Sequence, residues 1–531
     1  MRQTRRDLAA LLLLSLAVRL AVAAWVAQPG YMDAYYYTVG AQNLAAGRGF
    51  SEPFLWNYMD DPDGLPHPGF LYWMPLPALL AAPFAALSPT SFLALQLPFV
   101  ILSASLPLVA YVVARQASGV RRHAWAAGLL TLFSGFFFPY WTLPETFAPF
   151  ALFGSLALWL AGQGGWQRRW WPASMLVGVW AGLAHLTRAD GLLLLPLVAL
   201  APFISPPDNG RRLAGPAVRH ASLAALGYLL VMTPWFARNL SLIGAPLSPA
   251  GTQTLWLTHY DDLFCYRCDL SLHTYLAWGW GNILCSKLFA LWVNLQRFLA
   301  EGSLIFLFPF ILVGLFRYRR QRAFVMATVY GLLLYAAMSL VFTFPGWRGG
   351  FFHSSAALLP FLHAAGVEGV DAAIGWLARR RRGWRAASAR RVFTAAAVAL
   401  AVALSLYAAL RTVPDWNRAD HVYRDIGHWL EVHASPGTTV MVGNPPALYS
   451  YGCSGGSRAQ RRPGHAAGSL RPLRRFLRCG GRKSAGGIGG AVRGGERDRP
   501  GTERRFRQRK GSALPLCRDA VGGCSAAFVV S

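Results

Sequence analysis

Eleven apolar stretches recur along the chain, near residues 8–27, 92–114, 123–141, 146–162, 172–187, 190–204, 217–236, 294–316, 323–343, 354–375 and 392–410. Each approaches the roughly 20 residues that an α-helix needs to cross a bilayer, and the linkers between most of them are short and polar. The pattern predicts an all-α polytopic membrane protein of about 11 transmembrane helices, with juxtamembrane helices on its outer face. The first stretch follows MRQTRRD without a clear small-residue cleavage pattern, so it reads as a retained helix rather than a removed signal peptide. Leu71–Leu87 is apolar too, but Pro75, Pro77 and Pro83 disfavour a straight helix there. That piece is expected to lie on the outer leaflet or dip into it.

Composition agrees with this reading. Only 14% of the 531 residues are charged, against 54% hydrophobic, whereas soluble domains spend about a quarter of theirs on charge. The net charge of +28 invites a nucleic-acid reading. The placement of the arginines argues otherwise. RQASGVRRH, QRRWW, NGRRLAGPAVR, RYRRQR and ARRRRGWRAASARR all fall between apolar runs, as orientation signals do. With the N-terminus inside, all five lie in the cytoplasm, while most acids before position 452 fall outside. Polar chemistry is therefore expected on the extracytoplasmic face, with membrane lipids as partners and no nucleic acid.

Several polar turns, far apart in sequence, share that face. Asp33 heads AYYYTVGAQNLAA, either as the N-cap of that helix or as a catalytic carboxylate. Glu145 in PYWTLPETFAPF follows a proline at a helix start, where dipole stabilisation alone accounts for it; it is also the second candidate acid. Arg188 and Asp190 in LTRADG either neutralise each other or face a ligand. Arg238 in TPWFARN either snorkels beside Trp235 or joins a site. Arg348 in FPGWRGGFFHSS has no acid near it in sequence, and its glycine neighbours let backbone approach a ligand. His353, His67 and Tyr36 are secondary candidates for the acceptor side. Charge near membrane depth is costly unless it is paired or faces a cavity. A cavity holding both acids and arginines suits an anionic lipid and a polar second substrate. Arg188, Arg238 and Arg348 are the candidates for a phosphate, which guanidinium binds bidentately. No metal ligands are assigned and no cofactor is fixed by the sequence; a divalent metal remains open.

These stretches, over approximately residues 8–450, resemble the large membrane glycosyltransferases of GT-C type that use polyprenyl-phosphate sugars, among them the protein O-mannosyltransferases and the lipid A aminoarabinose transferases. The segments that carry the resemblance are DAYYYTVGAQNLAAGRGF, PHPGFLYWMPLPALLAAPFAAL, TLPETFAPFALFGSLALWLA, GLAHLTRADGLLLLP and PWFARNLSLIGAP. It implies a glycosyltransferase domain over 1–410 that moves a sugar from a polyprenyl-phosphate carrier to a glycan, lipid or protein acceptor, with inversion, at the outer face of the cell membrane. It also implies that Asp33 is the catalytic carboxylate and that Arg188 lies near the carrier phosphate. Two departures leave sugar and acceptor open. Ala34 follows Asp33 where many relatives carry an Asp-Glu pair, and His67-Pro68-Gly69 stands where the aminoarabinose transferases carry Lys-Pro-Pro. An ordinary Asp titrates near ~4, so Asp33 is expected to orient the acceptor hydroxyl and take its proton late, unless it is desolvated. The alternative is a transporter or flippase for a lipid-linked or anionic substrate. That class predicts internal repeats and mid-bilayer polar groups, and only Arg19 is of that kind.

Cys265 and Cys268 form a CxxC without a partner motif, which favours an outer-face disulfide over zinc. Residues 411–451 read as helix, Ser-Pro-Gly turn and strand, the incomplete opening of an extracytoplasmic α/β segment. Residues 452–531 then carry 16 Arg, 2 Lys and 17 Gly with neither strand nor helix periodicity. They read as a basic low-complexity tail, either disordered or the out-of-frame translation of a GC-rich gene.

Overall fold

Helices dominate a computed structural model that describes residues 2–60, 62–163, 171–204, 214–381, 383–434, 439–452 and 458–461. Its longer helices are α1 (Arg2–Trp25), α2 (Met32–Ala45), α3 (Leu76–Leu87), α4 (Phe92–Ser118), α5 (Arg121–Leu132), α6 (Phe147–Gly162) and α7 (Trp171–Thr187). They continue with α8 (Ala214–Ile243), α9 (Trp280–Arg297), α10 (Phe308–Arg317), α11 (Arg322–Ala336), α12 (Leu359–Arg380) and α13 (Ala386–His433). Among the described residues, seven helices are long and apolar enough to cross a membrane, or eight if a pair bent by 111° is one span. Six of the 11 expected stretches coincide with these helices. The other five, 123–141, 146–162, 172–187, 190–204 and 294–316, form shorter or bent pieces, and the last of them straddles the break between α9 and α10. Gly135, at φ 63°, ends the run of α5 and starts the 3₁₀ segment Gly135–Thr142, which meets α6 at the bend. The proline-rich α3 is a separate helix of 12 residues, short of a span.

Small residues let the helices close up. A Cβ at Gly178 of α7 would collide with the Ala224 carbonyl of α8, and one at Gly227 of α8 would collide with Met175 of α7. Gly314 of α10 and Gly369 of α12 make the same kind of reciprocal contact. Without a hydrophobic drive between helices in lipid, such close backbone approach and buried polar bonds supply the association. Asp7 of α1 provides one such bond. It accepts from Tyr111 Oη at 2.8 Å and bidentately from Arg121 at 2.6 Å, which ties α1 to α4 and α5.

The loop after α2 folds back as a small hairpin, with β1 (Ser51–Glu52) antiparallel to β2 (His67–Pro68). At the far end of the chain, α13 runs unbroken for 48 residues through Pro414, merging the last expected span with the helix that follows it. β3 (Thr439–Val442) then leads to α14 (Pro445–Gly452), and β3 pairs in parallel with β4 (Arg458–Arg461). Gly452 and these four strand residues are regular backbone within the stretch expected to lack it; the remainder of the expected basic tail lies outside the described residues. Tyr451 anchors α14 against the start of the chain, donating to Gln28 at 2.6 Å and standing 3.3 Å from the Tyr35 hydroxyl. Cys265 and Cys268 are bonded, as the CxxC suggested.

Candidate active site

α2, the bend before α6, the end of α7 and the segment before α12 converge on one cluster of charge. Asp33 stands in the first turn of α2, whose N-cap is Tyr31 and lacks a side-chain cap bond. The carboxylate of Asp33 is therefore not the cap. Glu145 sits at the bend, fully buried. Its Oε2 accepts from the Phe147 backbone N–H at 3.0 Å, the contact expected of an acid at a helix start. Its Oε1 accepts from the Thr146 hydroxyl at 2.9 Å and lies 3.2 Å from His353 Nδ1. The His353 ring is stacked on Phe147 with centroids 4.0 Å apart. Glu145 is thus a held group, whereas Asp33 retains a carboxylate that can turn to a substrate.

Arg188 supplies the positive wall. Its Nε donates to Asp190 at 3.0 Å and to Ser354 Oγ at 3.1 Å, and Nη1 reaches Thr146 Oγ1 at 3.4 Å. Ser354 also donates to Asp190. Asp190 neutralises Arg188, as the tight turn allowed, and in doing so fixes the guanidinium beside Thr146. Burial pushes the Asp33 carboxyl up to about 6; the like charge of Glu145 adds to this, while His353 and Arg188 pull it down. The desolvation that would make an Asp a useful base is present.

Asp33, Glu145 and His353 each offer one ligand atom, all within 4.8 Å of one another. Two carboxylates and an imidazole form a donor set that fits a divalent cation. No metal ligand is expected from the sequence, and these three residues lie on segments more than a hundred positions apart, so no local spacing points to the set.

Other expected residues have different partners. Arg238 donates to the Gly69 carbonyl at 2.8 Å, with the Phe50 carbonyl at 3.5 Å, and lies over the Trp235 and Phe50 rings at 4.6 and 5.6 Å. It clasps the first outer loop instead of joining the cluster. A sequence cannot show that two loop carbonyls will be aimed at an arginine. Arg348 lies 4.5 Å from the centroid of Tyr260 and 5.3 Å from that of Trp347. His67 is 3.3 Å from Asp60. Tyr36 donates to Glu52, and both oxygens accept the Phe70 N–H, at 2.9 and 3.0 Å. Burial pushes the Glu52 carboxyl up to about 8.

The fold also brings in groups that no sequence motif marks. Thr146 and Ser354 each follow a chosen residue, and only their bonds to Arg188 reveal them. Arg297 and Glu301 were counted within an apolar span. Two charges four residues apart inside such a run were the available signal.

Residues 66–237 match the family model described as dolichyl-phosphate-mannose-protein mannosyltransferase. Among solved structures, the chain is similar to ArnT from Cupriavidus metallidurans, bound to undecaprenyl phosphate, with a TM-score of 0.51 and 14% identity over 83% of this chain and 84% of that one. The apo form of that protein gives the same score and identity, covering 83% of each chain. The chain is also similar to the apo oligosaccharyltransferase of Archaeoglobus fulgidus, with a TM-score of 0.47, 12% identity and coverage of 86% of this chain. It spans only 64% of the length of that oligosaccharyltransferase. No curated protein sequence matches the chain.

Proposed function

We propose, for a multi-pass membrane protein whose family-model match and fold support the polyprenyl-phosphate-sugar-dependent glycosyltransferase superfamily, that it transfers a sugar from a polyprenyl-phosphate carrier to an acceptor hydroxyl. The reaction takes place at the extracytoplasmic face, with the N-terminus in the cytoplasm. The observation that carries this reading is the buried cluster of Asp33, Glu145, His353 and Arg188, which sets a raised carboxylate beside a fixed guanidinium. Transfer to an alcohol needs both: a group to take the hydroxyl proton and a cation to hold the phosphate as it leaves.

Asp33 orients the acceptor hydroxyl and accepts its proton as the new glycosidic bond forms. The bond from the anomeric carbon to the phosphate oxygen breaks on the opposite face, and polyprenyl phosphate departs with the bonding electron pair. Attack opposite the leaving group inverts the anomeric carbon. Arg188, fixed by Asp190 and Ser354, faces the phosphate. Glu145 holds His353 in place and, by its charge, keeps Asp33 basic. A divalent cation held by Asp33, Glu145 and His353 would add positive charge for the departing phosphate. The ArnT structure similar to this chain binds undecaprenyl phosphate, so that carrier class is the one to test first.

Purified protein in lipid nanodiscs, incubated with radiolabelled polyprenyl-phosphate hexoses and a membrane extract as acceptor, tests the reading. It predicts label moving from carrier to an extract component. Label that stays on every donor contradicts it.

A further inference from the structure

The polar pair Arg297–Glu301 sits one aromatic layer from the charge cluster, and the proposed function makes no use of it. α9 does not simply end at Arg297. It runs into a π-turn, Phe298–Gly302, and then into Leu304 and Ile305, both non-glycine residues in the left-handed region at φ 52° and 63°. π-turns of this kind are frequent at functional sites, and left-handed backbone at β-branched or bulky residues is a true outlier that surrounding structure must enforce.

That backbone holds Glu301 in an unfinished hydrogen-bond arrangement. Arg297 Nη1 donates to Glu301 Oε1 at 2.9 Å, and Arg297 Nε donates to the Trp347 carbonyl at 3.1 Å. Glu301 Oε2 is buried and accepts nothing. Buried polar atoms are nearly always bonded, so an orphan carboxylate oxygen calls for a donor. The wall beside it is aromatic. The Arg297 guanidinium lies 5.9 Å from the Phe352 centroid, and Phe352 packs on Tyr140 at 5.6 Å. Tyr140 in turn meets Tyr31 at 5.7 Å and Phe147 at 4.9 Å. The charges of Glu301, Arg297, Glu145 and Asp33 all reach the Tyr140 phenol. Phe352 directly precedes His353 of the cluster.

We infer that Arg297 and Glu301 form a sugar-hydroxyl subsite, in which Glu301 Oε2 accepts a hydrogen bond from a hydroxyl of the carrier-linked sugar and the Tyr140 and Phe352 rings face its C–H surface. A carboxylate set by an arginine and flanked by aromatic faces has the donor and apolar requirements of a pyranose. This inference rests on the proposed function for the carrier. Glu301 is a binding residue here and takes no part in proton transfer.

The test compares two lipids on the full chain in nanodiscs: bare undecaprenyl phosphate and undecaprenyl-phosphate mannose or glucose. The wild type is expected to bind at least one glycosylated lipid more tightly than the bare carrier. Glu301→Gln is expected to lower that preference by roughly 10-fold, the loss typical of one hydrogen bond to a charged group, while affinity for the bare carrier stays unchanged. Unchanged bare-carrier affinity also reports that the variant is folded. Should Glu301→Gln fail to fold, Glu301→Asp, which withdraws the carboxylate by one methylene, must lower the preference instead. A preference that survives in the folded variant, or that is absent from the wild type, overturns the subsite and leaves the carrier reading intact. Failure of both lipids to bind overturns the carrier reading, and the subsite with it.

Discussion

Replacing Glu145 by Gln removes a negative charge next to Asp33 and keeps the shape of the side chain, including an oxygen for the Phe147 N–H. The Asp33 carboxyl titrates at about 6 against an ordinary 3.8, a difference worth about 3 kcal/mol at 1.36 kcal/mol per pH unit. Two unit charges at the outer limit of the 4.8 Å cluster repel by about 3.5 kcal/mol at an effective dielectric of 20. That figure alone would exceed the whole difference. Burial is the larger cause, and His353 and Arg188 oppose it, so removing the Glu145 charge reverses only part of the difference. With Asp33 as the proposed base, turnover is expected to rise with pH through its titration. The wild-type acid limb is therefore expected near pH 6, and in Glu145→Gln at a lower pH. His353→Gln removes an opposing cation and moves the limb upward. The assay is the pH dependence of kcat/KM for label transfer from a polyprenyl-phosphate hexose, measured from pH 4.5 to 8.5. A wild-type limb that stays below pH 4.5, or the same direction of shift in both variants, refutes the assignment of the base.

Glu52→Gln tests the first outer loop. With its folded value raised to about 8 from 4.5, Glu52 contributes stability that is full below pH 4.5 and lost as pH rises through 8. The wild-type melting temperature should thus fall between pH 6 and 9, and the amide variant should show a flatter profile. Arg238→Ala frees the Gly69 and Phe50 carbonyls, and faster limited proteolysis between residues 50 and 70 is the expected readout. Arg188→Lys keeps the charge but cannot span Asp190, Ser354 and Thr146 together. Its kcat/KM should fall about 100-fold, as expected when fixed positive charge at a leaving group is loosened, with little change in melting temperature.

Much of this architecture is legible in the chain. The apolar runs mark α1, α4, α8, α11, α12 and α13 because lipid requires every backbone group to be bonded within its own helix. DAYYYTVGAQNLAA announces α2 and its lone acid, and LTRADG announces the Arg188–Asp190 turn. Where a run is broken by tertiary contacts, composition says less. The bend between Gly135–Thr142 and α6 carries Glu145 into the cluster, yet its residues read as two ordinary spans. Arg238 shows the opposite limit. Its phosphate-like setting in sequence hides two carbonyl partners from a loop about 170–190 positions earlier. Arg297 and Glu301 were lost because an i, i+4 pair embedded in apolar residues reads as a tolerated charge in a span, and only the π-turn shows that the backbone was shaped around it.

The account rests on the carboxylate of Asp33 doing chemistry at a site that binds a lipid phosphate. Asp33→Asn, assayed for transfer of label from a polyprenyl-phosphate hexose alongside carrier binding in the same nanodiscs, tests this most directly. The account predicts normal binding of the carrier with no transfer above background. Turnover near the wild-type rate with the carboxylate gone would contradict it.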